Sequence, residues 1–170
     1  MKYLGIRKAS KNLVSILVTL SMGLSEKVEA NKPTIIVFPI ETSRVKLGRK
    51  AAWSMRDYLA AKLAEKGTYK LFPRAKLQSL LRKHKVGSYK QSFDKKYQIA
   101  IGKEAYANLA VASKVMRIGK TCVVTCIFYS VKLGTTTLAA TTKGKCGEDG
   151  VLASIDRVVI KLTKRAAPPA

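Results

Sequence analysis

Two rhythms of apolar residues alternate along the chain: short runs spaced as in strands, and longer stretches that repeat near every 3.6 residues. Thr34-Ile35-Ile36-Val37-Phe38 is a continuous apolar run stopped by Pro39, and it predicts a central strand buried on both faces. Glu41-Thr42-Ser43 is polar and is expected to form a loop, with Ser43 capping the next element. From Arg44 to Lys66 the period turns helical. Ala52, Met55, Leu59 and Leu63 make the apolar stripe, and Lys46, Arg49, Lys50, Arg56 and Lys62 fall mostly off it. Gly67 ends this helix.

Tyr69-Lys70-Leu71-Phe72 predicts a second strand, stopped by Pro73, and Arg74 to His84 a second helix with Leu77, Leu80 and Leu81 inward. Val86-Gly87-Ser88-Tyr89 breaks the pattern. Asp94 is placed to cap a third helix reaching Glu104, with Tyr97, Ile99 and Ile101 as its bulky residues. Leu109–Ile118, Thr121–Val131 and Thr135–Thr142 then read as an antiparallel meander, the last pair joined by a turn at Lys132-Leu133-Gly134. Glu148 to Arg165 is the clearest helix, with Val151, Leu152, Ile155, Val158, Val159 and Leu162 at helical spacing. Acids sit at its positive end and Lys161, Lys164 and Arg165 at its negative end. The order β-α-β-α-α-β-β-β-α predicts an α/β (α+β) fold, a mixed five-stranded sheet with helices packed on it. It occupies 31–165 as one domain, with 166–170 as a disordered tail.

The first thirty residues follow neither rhythm. Lys2, Arg7, Lys8 and Lys11 precede a twelve-residue apolar run, Leu13 to Leu24, too short for a comfortable membrane span. Val28 and Ala30 supply small residues at a cleavage site before Asn31, so 1–30 is read as a signal peptide; an uncleaved anchor is the alternative. With no Cys near the site, a lipoprotein is not expected, and after cleavage no transmembrane span is expected either. The protein is thus placed in the periplasm or otherwise exported.

Charge narrows the partners. The chain carries 33 Lys and Arg against 10 Asp and Glu, a net +23. Removing 1–30 takes away five cations and two anions and leaves +20 on the rest. Such an excess predicts attraction to an acidic envelope protein or to the anionic surface of the outer membrane. Nucleic acid would be drawn by charge alone, but no binding motif accompanies it and export argues against it.

Several stretches resemble the TolB amino-terminal domain and the CsgG family of bacterial envelope proteins. Lys32-Pro33-Thr34-Ile35-Ile36-Val37-Phe38-Pro39-Ile40 is similar to their opening strand, which ends in a Pro before a long helix. Tyr69-Lys70-Leu71-Phe72-Pro73-Arg74 resembles the second strand, which enters its helix through an Arg. Ile101-Gly102-Lys103-Glu104-Ala105-Tyr106-Ala107-Asn108-Leu109 resembles the passage from helix to third strand, and Tyr129-Ser130-Val131-Lys132-Leu133-Gly134 the hairpin turn. The likeness spans nearly all of Lys32 to Leu162. It implies an envelope-located, non-enzymatic domain that works by protein–protein contact. The chain has no β-propeller as in TolB and no evident membrane-inserting hairpins as in CsgG, so a Tol-type or pore role is not carried over.

Candidate chemistry is sparse. A hairpin turning near Leu133 sets Cys122 opposite residues around Cys146, which predicts a Cys122–Cys146 disulfide; Cys126 pairing with either is the alternative. Cys126 shares a strand face with Val124 and Phe128, as a small buried residue would. Three Cys and one His without paired spacing predict no metal site, and no cofactor is expected. His84 has no acid or nucleophile near it in sequence. Trp53 lies one helical turn from Arg49 and Arg56, so Lys46, Arg49, Lys50, Trp53 and Arg56 form the candidate binding surface, with Trp53 covering the core margin as the plainer reading. The overall expectation is a non-enzymatic periplasmic binding or scaffold protein; a basic nucleic-acid-binding protein is the alternative, and a secreted hydrolase is disfavoured by the missing catalytic constellation. The export reading has a direct check: intact-mass analysis of the exported protein should give a chain beginning at Asn31, and full-length protein confined to the cytosol would contradict it.

Overall fold

The computed structural model describes residues 32–84 and 94–166. Residues 1–30, read above as a signal peptide, and the Val86–Tyr89 break lie outside the described residues, as does the expected tail except Ala166, which ends the last helix. The elements in order are β1 (Thr34–Val37), β2 (Glu41–Ser43), α1 (Arg49–Ala64), β3 (Lys70–Leu71), α2 (Arg74–Lys83), α3 (Lys95–Glu104), β4 (Leu109–Ile118), β5 (Thr121–Ser130), β6 (Thr136–Gly144) and α4 (Glu148–Ala166).

The fold is a mixed α+β sheet carrying four helices, but the sheet has six strands and not five. Its order is β3-β1-β4-β5-β6, and β2 pairs beside β1 along the same edge of β4. The extra strand is Glu41–Ser43, expected as a loop. Its side chains carry no strand signal, yet its backbone runs parallel to Lys114–Met116 and pairs with it. β1 is parallel to both β3 and β4, and β4-β5-β6 is the antiparallel meander. α1 begins at Arg49 and not at Arg44, because Ser43 still belongs to the sheet and Arg44 turns the chain at φ 57°. Ser43 therefore caps nothing in α1; Gly48 holds that place without a side-chain bond. At the far end Gly67, with φ 65°, turns the chain out of the helix as its sequence position suggests.

Two apolar clusters hold the helices to the sheet. Ile35 and Val37 join Met55, Leu59 and Leu63 of α1 and Val151, Ile155, Val158 and Leu162 of α4 in the larger one. Ile36 and Phe38 join Leu77 of α2, Ile101 of α3, Ala110 and Val131 in the other. Alternate residues of β1 thus feed opposite cores, as its unbroken apolar run requires.

On the outer side, α4 meets the edge strand through three cations. Arg157, Lys161 and Arg165 donate to the main-chain carbonyls of Lys143 (2.9 Å), Thr141 (3.0 Å) and Ala139 (2.7 Å). Four residues of helix rise about 6 Å and two residues of strand about 6.7 Å, so the spacings run nearly in register.

The bulky residues of α3 do not share one buried face. Ile101 is buried together with Gln98 and Gly102, while Tyr97 and Ile99 lie only partly covered. Gly102 brings the helix against the sheet: a Cβ there would stand 2.7 Å from Val131 Cγ2. Val131 is β-branched and stiff, so it has little room to yield. Gly102→Ala is therefore expected to cost about 1–3 kcal/mol in urea unfolding, although helix propensity alone favours Ala by about 1 kcal/mol. Adding Val131→Ala should recover part of that loss; simple additivity of the two changes would contradict the contact.

Candidate binding surface

The structure separates the residues that the sequence grouped. Lys46, Arg49 and Lys50 are exposed where the chain enters α1. The first turn of α1 contains no acid, so these cations gather at the positive end of the helix, where like charge is unfavourable and an anion would be favoured. Next to them a cleft of about 590 Å³ opens between α1 and α4, lined by Gly48, Lys50, Ser54, Met55, Tyr58, Glu148 and Leu152 among others. Tyr58 Oη donates to Asp156 at 2.7 Å and ties the two helices below the cleft.

Arg56 does not belong to this surface. It is 5% exposed, and its Nε donates to the carbonyl of Val37 at 2.8 Å while Nη1 bonds Asp57 at 2.9 Å. Burial pulls its pKa down, with Asp57 opposing that shift. Charge suggested a solvated position. The fold instead spends the guanidinium on the end of the central strand, where Pro39 cuts pairing short. Trp53 is half-buried and packs against the cluster built on Ile36, Phe38 and Leu77. The cation over its ring is Arg74, 5.0 Å from the centroid, in place of the Arg49 and Arg56 that sequence proximity offered. Arg74 also reaches Asp57, so Trp53, Arg74, Asp57 and Arg56 form one connected group between α1 and the start of α2.

A second arrangement lies across the sheet, at the end of α3. His84, without an acid near it in sequence, meets Glu104 in space; Lys83 Nζ bonds the other oxygen of that carboxylate at 2.7 Å. The Lys83 and His84 bonds hold the Glu104 carboxyl below its ordinary pKa, so this tie is present above the normal carboxylate range and lost as pH falls through the depressed value. Residue 106 closes the helix in a Schellman turn: Tyr106 N–H donates to Lys103 O and Ala107 N–H to Gly102 O. Glycine or asparagine is the usual sign of such a turn, and Ala105-Tyr106 gives neither. Arg74, Glu104 and Tyr106 are the residues that sequence reasoning missed. Only the fold brings the first two to their partners.

Cys122 and Cys146 are joined in a disulfide, with Cα atoms 4.9 Å apart. The bridge fastens the start of β5 to the connection between β6 and α4. Cys126 is free and fully buried, and burial pushes its thiol up to about 12, against a small opposing contribution from Ser113. Among the described residues no group of three or more His, Cys, Asp and Glu could hold a metal ion, and no helix is long and apolar enough to cross a membrane.

The sheet and its helices define a fold seen in several solved structures. The chain is similar to the LpoB C-terminal domain from Salmonella enterica at 15% identity and a TM-score of 0.57, over 67% of this chain and 83% of that one. Lipoprotein GNA1162 from Neisseria meningitidis matches at 15% identity and a TM-score of 0.58, over 80% of this chain and 99% of that one. TolB from Acinetobacter baumannii aligns over 28% of its chain, at 8% identity and a TM-score of 0.46. No protein-family model matches the chain, and no curated protein sequence is similar to it.

The cysteine chemistry is measurable. At pH 8 a thiol with a pKa near 12 is ionised in only about one molecule in ten thousand, so native Cys126 should resist alkylation and react after denaturation. Cys122→Ala with Cys146→Ala should lower stability by about 3 kcal/mol, the value for closing a loop of this separation. Three thiols alkylated in native, oxidised protein would contradict both.

Proposed function

We propose that this chain is an exported bacterial envelope protein that acts without catalysis, by binding an acidic partner or an anionic surface through the exposed start of α1. One observation carries the reading: six of the eight acids of the domain are engaged by partners within it, and many more cations are left exposed. Glu41, Asp57, Glu65 and Glu104 are all in ion pairs, Asp94 caps α3, and Asp156 accepts from Tyr58. Glu148 and Asp149 sit at the positive end of α4. Little negative charge is left to offset Lys46, Arg49 and Lys50.

Three further points support the reading. A disulfide suits an oxidising compartment. The resemblance of the sequence to envelope families agrees with an exported domain. The fold is shared with a protein described as a lipoprotein. In this reading Lys46, Arg49 and Lys50 supply the long-range attraction, which salt screens over a Debye length of about 8 Å at physiological ionic strength. Trp53, further along α1 and half-buried beside Arg74, supplies a contact that salt does not weaken.

The test is binding to phosphatidylglycerol vesicles and to an acidic protein at low and high salt. Replacing Lys46, Arg49 and Lys50 together by Ala should weaken low-salt binding by about tenfold or more, while Lys132→Ala with Lys164→Ala changes it by about twofold or less. Trp53→Ala, if folded, should remove what survives at high salt. Equal losses from both sets of substitutions would reduce the surface to general stickiness. Recovery of the protein from cells on nucleic acid in the cytosol would overturn the proposal.

A further inference from the structure

Tyr106 occupies a position that the backbone reserves for glycine. Its φ is 50°, the left-handed value required at that point of a Schellman turn, and the residue is 91% exposed. Glycine would make the same turn without strain and without placing an aromatic ring in water. The strain therefore has no counterpart in packing. Strained positions without a packing role direct attention to binding.

Beside the ring, a groove of about 560 Å³ runs between α2 and the end of α3, with Phe72, Ala75, Leu80 and Ala105 as its apolar lining. Glu104 is the one carboxylate among its lining residues, and it is already paired with Lys83 and hydrogen-bonded to His84. Lys76 stands on the border, and Lys103 is exposed next to Glu104. The groove thus has an apolar floor, a cationic border and a projecting aromatic at one end.

We propose that this groove is a second docking surface, separate from the start of α1, and that it takes an apolar segment of a partner protein bordered by Asp or Glu, with Tyr106 closing against it. Charge complementarity selects this occupant. A second copy of the chain would bring one strongly basic surface against another. A flat lipid surface fits a concave groove poorly, whereas a side-chain ridge of a peptide fills one.

The probe is a short synthetic peptide with Leu and Phe at helical spacing and Glu at both ends, titrated into the protein by calorimetry and by amide shift mapping. Shifts should centre on Ala75, Leu80 and Ala105. Tyr106→Gly should raise Kd by about tenfold or more while raising Tm by about 2–4 °C, since it removes the ring and the backbone strain together. Lys76→Glu, which leaves the turn alone, should also weaken the acidic-ended peptide, and a Lys-ended peptide should not bind. Replacing Lys46, Arg49 and Lys50 should leave this binding unchanged, so the two surfaces succeed or fail separately. The proposal is overturned if Tyr106→Gly binds like wild type or loses stability, or if the shifts fall on α1. It is equally overturned if the change abolishes vesicle binding or dimerisation and leaves peptide binding intact.

Discussion

The burial of β1 on both faces is the constraint from which the rest of the structure follows: the strand and the residue after it must find cover for Ile35 and Val37 on one side and for Ile36 and Phe38 on the other. Neither core can be omitted without exposing a central strand. α1 and α4 meet the first demand and α2 and α3 the second. The chain passes from one side to the other through β3 and Pro73. Arg56 completes the arrangement by supplying a donor to Val37 O where the strand ends. A buried guanidinium is costly unless bonded, and here Val37 O and Asp57 both bond it.

That placement divides the surface into two regions with different physics. The start of α1 is cationic and exposed, suited to long-range attraction that salt weakens. The end of α3 is concave and apolar with one projecting ring, suited to short-range contact. They occupy helices on opposite sides of the sheet. A partner engaging one therefore leaves the other open.

Most elements were legible because their signals are local. β4 spans Leu109–Ile118 as its apolar stretch and the following Gly119-Lys120 turn suggest, α4 follows its helical spacing, and Asp94 caps α3 through a bond to the Tyr97 amide. What sequence hid was set by distant partners or by backbone. β2 is a strand only because β4 lies beside it, and Glu41 finds Lys114 across 73 positions. Arg56 stands one turn after Ala52, so periodicity allowed it inward, and its charge argued the other way. Trp53 was recognised as a residue beside cations, but the cation over its ring comes from another helix. Tyr106 gave no sign at all, since a left-handed tyrosine looks like any other in a sequence.

The contact between α4 and β6 sets a limit on how the net charge can be used. Arg157, Lys161 and Arg165 are already bound to the carbonyls of Lys143, Thr141 and Ala139 on the last strand of the sheet. An outer strand with open carbonyls is a template for another chain, and charged side chains laid across it prevent that pairing. The same three groups cannot guard the strand and grip an anion at once. A polyanion that drew them away would uncover three alternate acceptors and invite sheet-to-sheet polymerisation. For this helix, solubility and adhesion are competing uses of one set of side chains.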